Sequence, residues 1–281
     1  MTEQGTTGTG QTDRTGQAGH DVGPAGRPPR STRPRRGPSR TRHRVYTTIG
    51  VVGELLITFG VLLFAFLAWQ LWWTDVEGNR AQAEIVRELD RQEVPDPTPS
   101  ATSSGPVVAE PRRDEPPVLD EPPHATTFAT IQVPRWVGEP ERPVSQGVDR
   151  ATVLDVLGVG HYPGTAMPGG VGNFALAGHR TTYAKPFNRV EELQVGDPVV
   201  VRTADTWYVY RVTSTQVVLP SQVDVIAPVP GDPGATPTER LITLTTCHPM
   251  FSARERFIVH GTLDYWAPVA DGTPAELLGG A

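Results

Sequence analysis

The stretch Thr243–Gly261, TLTTCHPMFSARERFIVHG, decides how the rest of the chain is read. Side chains alternate along a strand, so Thr243, Thr245 and Cys247 share one face and Leu244 and Thr246 the other. In the run that follows, Arg256, Ile258 and His260 again share a face. The eight residues His248–Glu255 are enough to close an antiparallel hairpin between the two runs. Such a hairpin ends one strand at Cys247 where the next begins at Arg256, and sets a thiol against a guanidinium across its mouth.

The same texture recurs upstream. TFATIQV (Thr127–Val133) alternates and stops at Pro134, and GNFALAGH (Gly172–His179) is a short apolar run. PVVVRT (Pro198–Thr203) and TWYVYRVTSTQVV (Thr206–Val218) are rich in β-branched and aromatic residues. Only Phe187–Leu193 reads as helical. Many short strands separated by Gly and Pro turns predict a closed or nearly closed all-β domain over residues 127–268, followed by a short tail, 269–281.

The chain before residue 127 is different in kind. Residues 1–44 carry nine Arg against three acidic residues and read as a disordered basic arm. Residues 45–73 hold an apolar run; Ile49–Trp69 is 21 residues with one charge, Glu54. At about 1.5 Å per residue that length crosses a bilayer's hydrocarbon layer. The run ends in Trp69, Trp72 and Trp73, as an interfacial belt would. The arginines on its near side place the N-terminus in the cytoplasm and all that follows Trp73 outside. A cleaved signal peptide would have a shorter core and a small-residue cleavage site, so an uncleaved anchor in the lipid bilayer is expected. Glu54 lies close to the cytoplasmic end, where snorkelling or neutralisation accounts for it. Orientation and attraction to anionic lipid explain the basic arm more simply than nucleic acid does, and no nucleic-acid partner is expected. Residues 74–126 begin with helix formers over Asn79–Gln92 and continue with nine prolines from Pro95 to Pro123, an extracellular stalk with twelve acidic residues.

Cys247 is the only cysteine of 281 residues. Outside a cell a thiol normally ends in a disulfide, so a lone one is paired between chains, buried and inert, or free and reactive. A positive neighbour such as Arg256 favours the thiolate. A nucleophilic Cys also needs a His, and the β domain has four. His248 follows Cys247 and points away from it on a continuous strand, while His260 lies further down the hairpin. His161 sits in the loop GHYPGTAMPGG, and His179 ends the strand NFALAGH. Strand ends around a barrel mouth are where sites assemble, which favours His179 and leaves the other three as alternatives.

TLTTCHP, an Arg nine residues after its Cys, and NFALAGHR upstream together resemble the sortases, membrane-anchored cysteine transpeptidases of Gram-positive bacteria. GHYPGTAMPGGVGNFALAGHRTTYAKPFN (Gly160–Asn188) resembles the class E branch of actinobacteria. The likeness runs from about Thr127 to Asp264. It implies an eight-stranded β-barrel with short helices and a catalytic set of His179, Cys247 and Arg256, with Arg254 a nearby competitor out of register. It implies that Cys247 attacks the Thr carbonyl of an LPXTG- or LAXTG-like sorting signal, and that an amine of the cell wall resolves the thioester. The implied partners are exported proteins bearing the signal and a peptidoglycan amine; no cofactor or metal is required. A cysteine hydrolase of the same bond, and a non-catalytic tethered barrel that binds peptide or acts as a scaffold, are the rival readings.

Overall fold

Eight strands close into a barrel in the order β1-β2-β3-β4-β7-β8-β6-β5. They are β1 Thr127–Gln132, β2 Arg142–Gln146, β3 Val159–His161, β4 Gly172–Ala177, β5 Pro198–Arg202, β6 Thr206–Val218, β7 Arg240–His248 and β8 Glu255–Pro268. The computed structural model describes residues 40–93 and 107–279, so most of the basic arm and the first prolines of the stalk lie outside the described residues. The chain divides into two units, one ending at Thr58 and one beginning at Phe59.

Alternation builds the core. Phe174 and Leu176 of β4, Ile242 and Leu244 of β7, Val199 and Val201 of β5 and Val259 of β8 face the interior with Tyr208 and Tyr210. The intervening residues face outward, so Cys247 belongs to the outer wall. Both tyrosines bring a hydroxyl into this apolar space and satisfy it at one end: Tyr208 donates to the Pro117 carbonyl and Tyr210 accepts from Gly169 N. Burial pushes the Tyr210 hydroxyl's pKa far above its usual 10.0.

Two strands have no sequence signature. β2, RPVSQ, is buried at all five positions, so it shows no alternation, and β3 has only three residues, VGH. Each exists through pairing: β2 lies antiparallel to β1 and parallel to β3. The predicted helix at Phe187–Leu193 is a single 3₁₀ turn, Val190–Glu192. A π-helical turn, Arg150–Leu154, stands before β3 and is capped by the Asp149 carboxylate on Thr152 N.

Helix α1 runs unbroken from Arg40 to Glu93, well past the apolar run. It is long and apolar enough to cross a membrane. Its later turns touch the barrel: Asp75 pairs with Lys185 at 2.6 Å, and Asp90 pairs with Arg202. Residues 107–126, expected to extend away as a stalk, instead line the barrel wall. Arg112 exchanges backbone hydrogen bonds with Trp266 at 2.8 and 2.9 Å and stacks its guanidinium over that ring. Ala109 N donates to Thr273 O, just before the short C-terminal helix α2, Ala275–Leu278.

Candidate active site

Strand order places the sequence-predicted residues. β7 lies between β4 and β8. β4 and β7 run parallel, with Ala177 beside Thr245, so their C-terminal ends emerge at the same edge. β8 begins at that edge and runs back, with Arg256 opposite Cys247, the pairing read from the hairpin. His179 stands two residues beyond β4. Histidine, cysteine and arginine are thus carried by three successive strands, and neighbouring strands are about 4.8 Å apart.

The threonines before Cys247 fix this register. Thr245 Oγ1 donates to Leu176 O at 3.1 Å, and Thr246 Oγ1 to Gly178 O at 2.7 Å. The second bond joins the residue before the cysteine to the residue before the histidine. Arg180, buried at 2% exposure, adds a contact of 3.4 Å to the Cys247 carbonyl and a 2.6 Å ion pair to Glu191.

A cavity of about 510 Å³ lies over this edge, lined by His179, Cys247 and Arg256 with Tyr162, Thr182 and Phe251. That volume suits a peptide segment. Cys247 is partly exposed there. Arg256 Nη1 donates to the carbonyls of Ala253 and Glu255 at 3.0 and 2.9 Å, which anchors the guanidinium to the β7–β8 loop. Phe251, in the same loop at φ +64°, is 78% exposed at the cavity rim. Arg254, the competing cation, is not among the lining residues, whereas Arg150 is.

His179 has partners the sequence did not announce. Its Nε2 lies 2.6 Å from Asp155 Oδ1, at the end of the π-helical turn, and its ring lies 5.2 Å from that of Tyr183. A carboxylate accepting a ring N–H holds the imidazole's orientation. The VLDVLG stretch around Asp155 carries no spacing relation to His179, and the contact arises only through the fold. Tyr162 was also missed; its hydroxyl lies 3.0 Å from Thr245 Oγ1, inside the cavity.

The other three histidines are engaged elsewhere. His161, read as a loop residue, ends β3 at 0% exposure, bound to Gln146 Oε1 at 2.7 Å and to Thr165 and the Ala166 carbonyl. Burial lowers its pKa from the usual imidazole value, against a smaller opposing effect of the Ala166 carbonyl. His248 lies between Arg180 and Glu191. His260 contacts Thr243 and Gln216 in a separate cavity, and burial lowers its pKa too.

A closed eight-stranded barrel with a cysteine, a histidine and an arginine on one edge defines the class: the chain belongs to the sortase family of cysteine transpeptidases. The sortase domain family matches residues 131–264. The chain is 32% identical over 262 residues to sortase SrtE2 of Streptomyces coelicolor, covering 86% of this chain and 93% of that one. It is 36% identical over 233 residues to SrtE1 of the same organism, covering 81% of this chain and 60% of that longer relative. Among solved structures, the SrtA sortase of Actinomyces oris aligns at TM-score 0.58 and 44% identity over 60% of this chain and 97% of its own. Sortase E1 of S. coelicolor, solved with a tripeptide in its active site, aligns at TM-score 0.51 and 41% identity over 54% and 97%.

Proposed function

We propose that this protein is a membrane-anchored transpeptidase that cleaves an LPXTG- or LAXTG-like sorting signal between Thr and Gly and joins the exported protein to a cell-wall amine. The observation that carries the reading is the convergence of Cys247, His179 and Arg256 on one cavity, although His179 and Arg256 lie 68 and 9 residues from Cys247 in sequence. The apolar part of α1 supports anchoring, and the arginines on its near side support an orientation with the N-terminus in the cytoplasm and the barrel outside.

In this mechanism the Cys247 thiolate attacks the Thr carbonyl carbon. Arg256, a planar and permanently charged donor, stabilises the oxygen as it becomes negative. His179, as imidazolium, gives its proton to the Gly nitrogen; the C–N bond breaks and a thioester remains. An incoming amine then attacks the thioester and loses a proton to His179 as the thiolate departs. Asp155 accepts from the ring and steadies the imidazolium throughout.

The test is product analysis by mass spectrometry, using the full chain in detergent micelles, a signal peptide and an amine. The amide product is expected, and Cys247→Ala and His179→Ala each remove it. His248→Ala and His260→Ala retain at least a tenth of the rate. Formation of free acid alone, whatever the amine concentration, would establish a hydrolase instead. Full activity of Cys247→Ala would leave only a binding or scaffold role.

A further inference from the structure

We infer that the turns of α1 from Asp75 to Gln82 are a positioning element of the active site, clamping both segments that touch the His179 ring. The inference rests on the reading of His179 as the proton-transfer group. Tyr183 touches the ring from one loop and Asp155 from another. The first loop is conformationally expensive. Tyr183, Ala184 and Lys185 are three successive non-glycine residues at φ +53°, +63° and +40°. Each left-handed residue costs about 1–2 kcal/mol, and such a run persists only where its surroundings over-determine it.

Helix α1 supplies those surroundings. Lys185 Nζ lies 2.6 Å from Asp75 Oδ2, and Gln82 Nε2 donates to the Tyr183 carbonyl at 3.3 Å. Gly78 approaches so closely that a Cβ there would stand 3.0 Å from Ala184 N. Glycine at this helical position is costly in water, yet it is the residue that lets helix and loop meet.

Gln82 also reaches the second segment. It is 1% exposed, and its Oε1 accepts from Arg142 Nη1 at 3.1 Å. Its amide lies against Gly158, where a Cβ would meet Gln82 Cδ at 3.0 Å. Gly158, at φ +106°, is the turn three residues beyond Asp155. One buried amide therefore braces the loop behind Tyr183 and the turn behind Asp155. A helix that only tethered the barrel would need neither contact.

The experiment compares Gly78→Leu, Asp75→Lys and the charge exchange Asp75→Lys/Lys185→Asp with the parent full chain in detergent micelles, reading kcat, KM and thermal melting. His179→Ala is assayed alongside. A misplaced catalytic group costs up to about 10²-fold. Each single variant is expected to lower kcat about ten-fold, with KM within about two-fold of the parent's. The exchange is expected to restore kcat to within about three-fold of the parent's. A kcat unchanged in both single variants, or a loss confined to the melting temperature, overturns the inference while His179→Ala remains inactive. Activity in His179→Ala instead overturns the reading on which the inference rests.

Discussion

Thr246→Val isolates the bond that holds the cysteine strand to the histidine segment. The substitution preserves shape and removes one hydroxyl, which is buried and donates to the Gly178 carbonyl at 2.7 Å. Leaving a buried carbonyl without its donor costs about 1–3 kcal/mol. Taking about 2 kcal/mol, and about 2–4 °C per kcal/mol for a domain of this size, melting should fall by about 4–8 °C. A protein with typical stability stays almost wholly folded at 25 °C after such a loss, so activity there reports on geometry and not on the folded fraction. The main chain still joins the strands through Gly178 N to Thr245 O at 3.2 Å, so the histidine segment loosens without detaching. A fall in kcat of about ten-fold is the expected result. Thr215→Val, on an exposed stretch of β6, is the control and should change neither quantity. Steady-state kinetics at 25 °C and near-ultraviolet melting check both. A melting loss of the stated size with full kcat would show that the threonine contributes stability only, and would refute the argument that it sets His179 against Cys247.

Two further predictions concern carboxylates. Asp155→Ala removes the acceptor 2.6 Å from His179 Nε2, and kcat should fall about 10–100-fold with KM nearly unchanged; single-turnover thioester formation checks it. Glu191 is held below its usual 4.5, chiefly by the Arg180 hydrogen bond and against a smaller burial effect. A depressed folded pKa adds stability that is present above the usual value and lost as pH falls through the folded one. Glu191→Gln should therefore be less stable than the parent at pH 7, by under about 1 kcal/mol because the carboxylate is nearly half exposed, and the gap should close in strong acid. Denaturant titrations at the two pH values measure it.

Legibility in the sequence followed locality. β6 was readable over its whole length because Thr, Trp, Tyr and Val crowd one continuous run. The hairpin was readable because its two strands are separated by a loop only a few residues long, so alternation and loop length together fix the register. β2 was not, since it has an Arg and a Pro at its start and both faces covered; Arg142 is buried with its guanidinium bonded to Asn79 and Gln82 of α1 and to Glu139. The course of residues 107–126 was hidden for a related reason. Proline and charge imply an extended chain but do not say what it lies on, and Trp266 and Tyr208, its partners, are about 90–150 residues away. Within the site, Cys247 and Arg256 followed from pairing and His179 from its place at a strand end. Asp155 and Tyr183 gave no signal, because their relation to the imidazole depends on two loops meeting.

The parallel pairing of β4 with β7 is the step on which the site depends. In an antiparallel arrangement the C-terminal end of β4 would lie at the opposite edge of the barrel. β4 has six residues at about 3.3 Å each, so His179 would stand roughly 20 Å from Cys247, beyond any proton transfer. A parallel pair cannot be closed by a tight turn, and here 62 residues separate the end of β4 from the start of β7, including the whole of β5 and β6. β5 and β6 use that detour to complete the barrel on its far side, β6 pairing with β8 along most of its length. The same crossover that closes the barrel therefore brings the histidine to the cysteine. A chain whose β5–β6 hairpin failed to dock would lose the site along with the fold, rather than retain a partly active fragment.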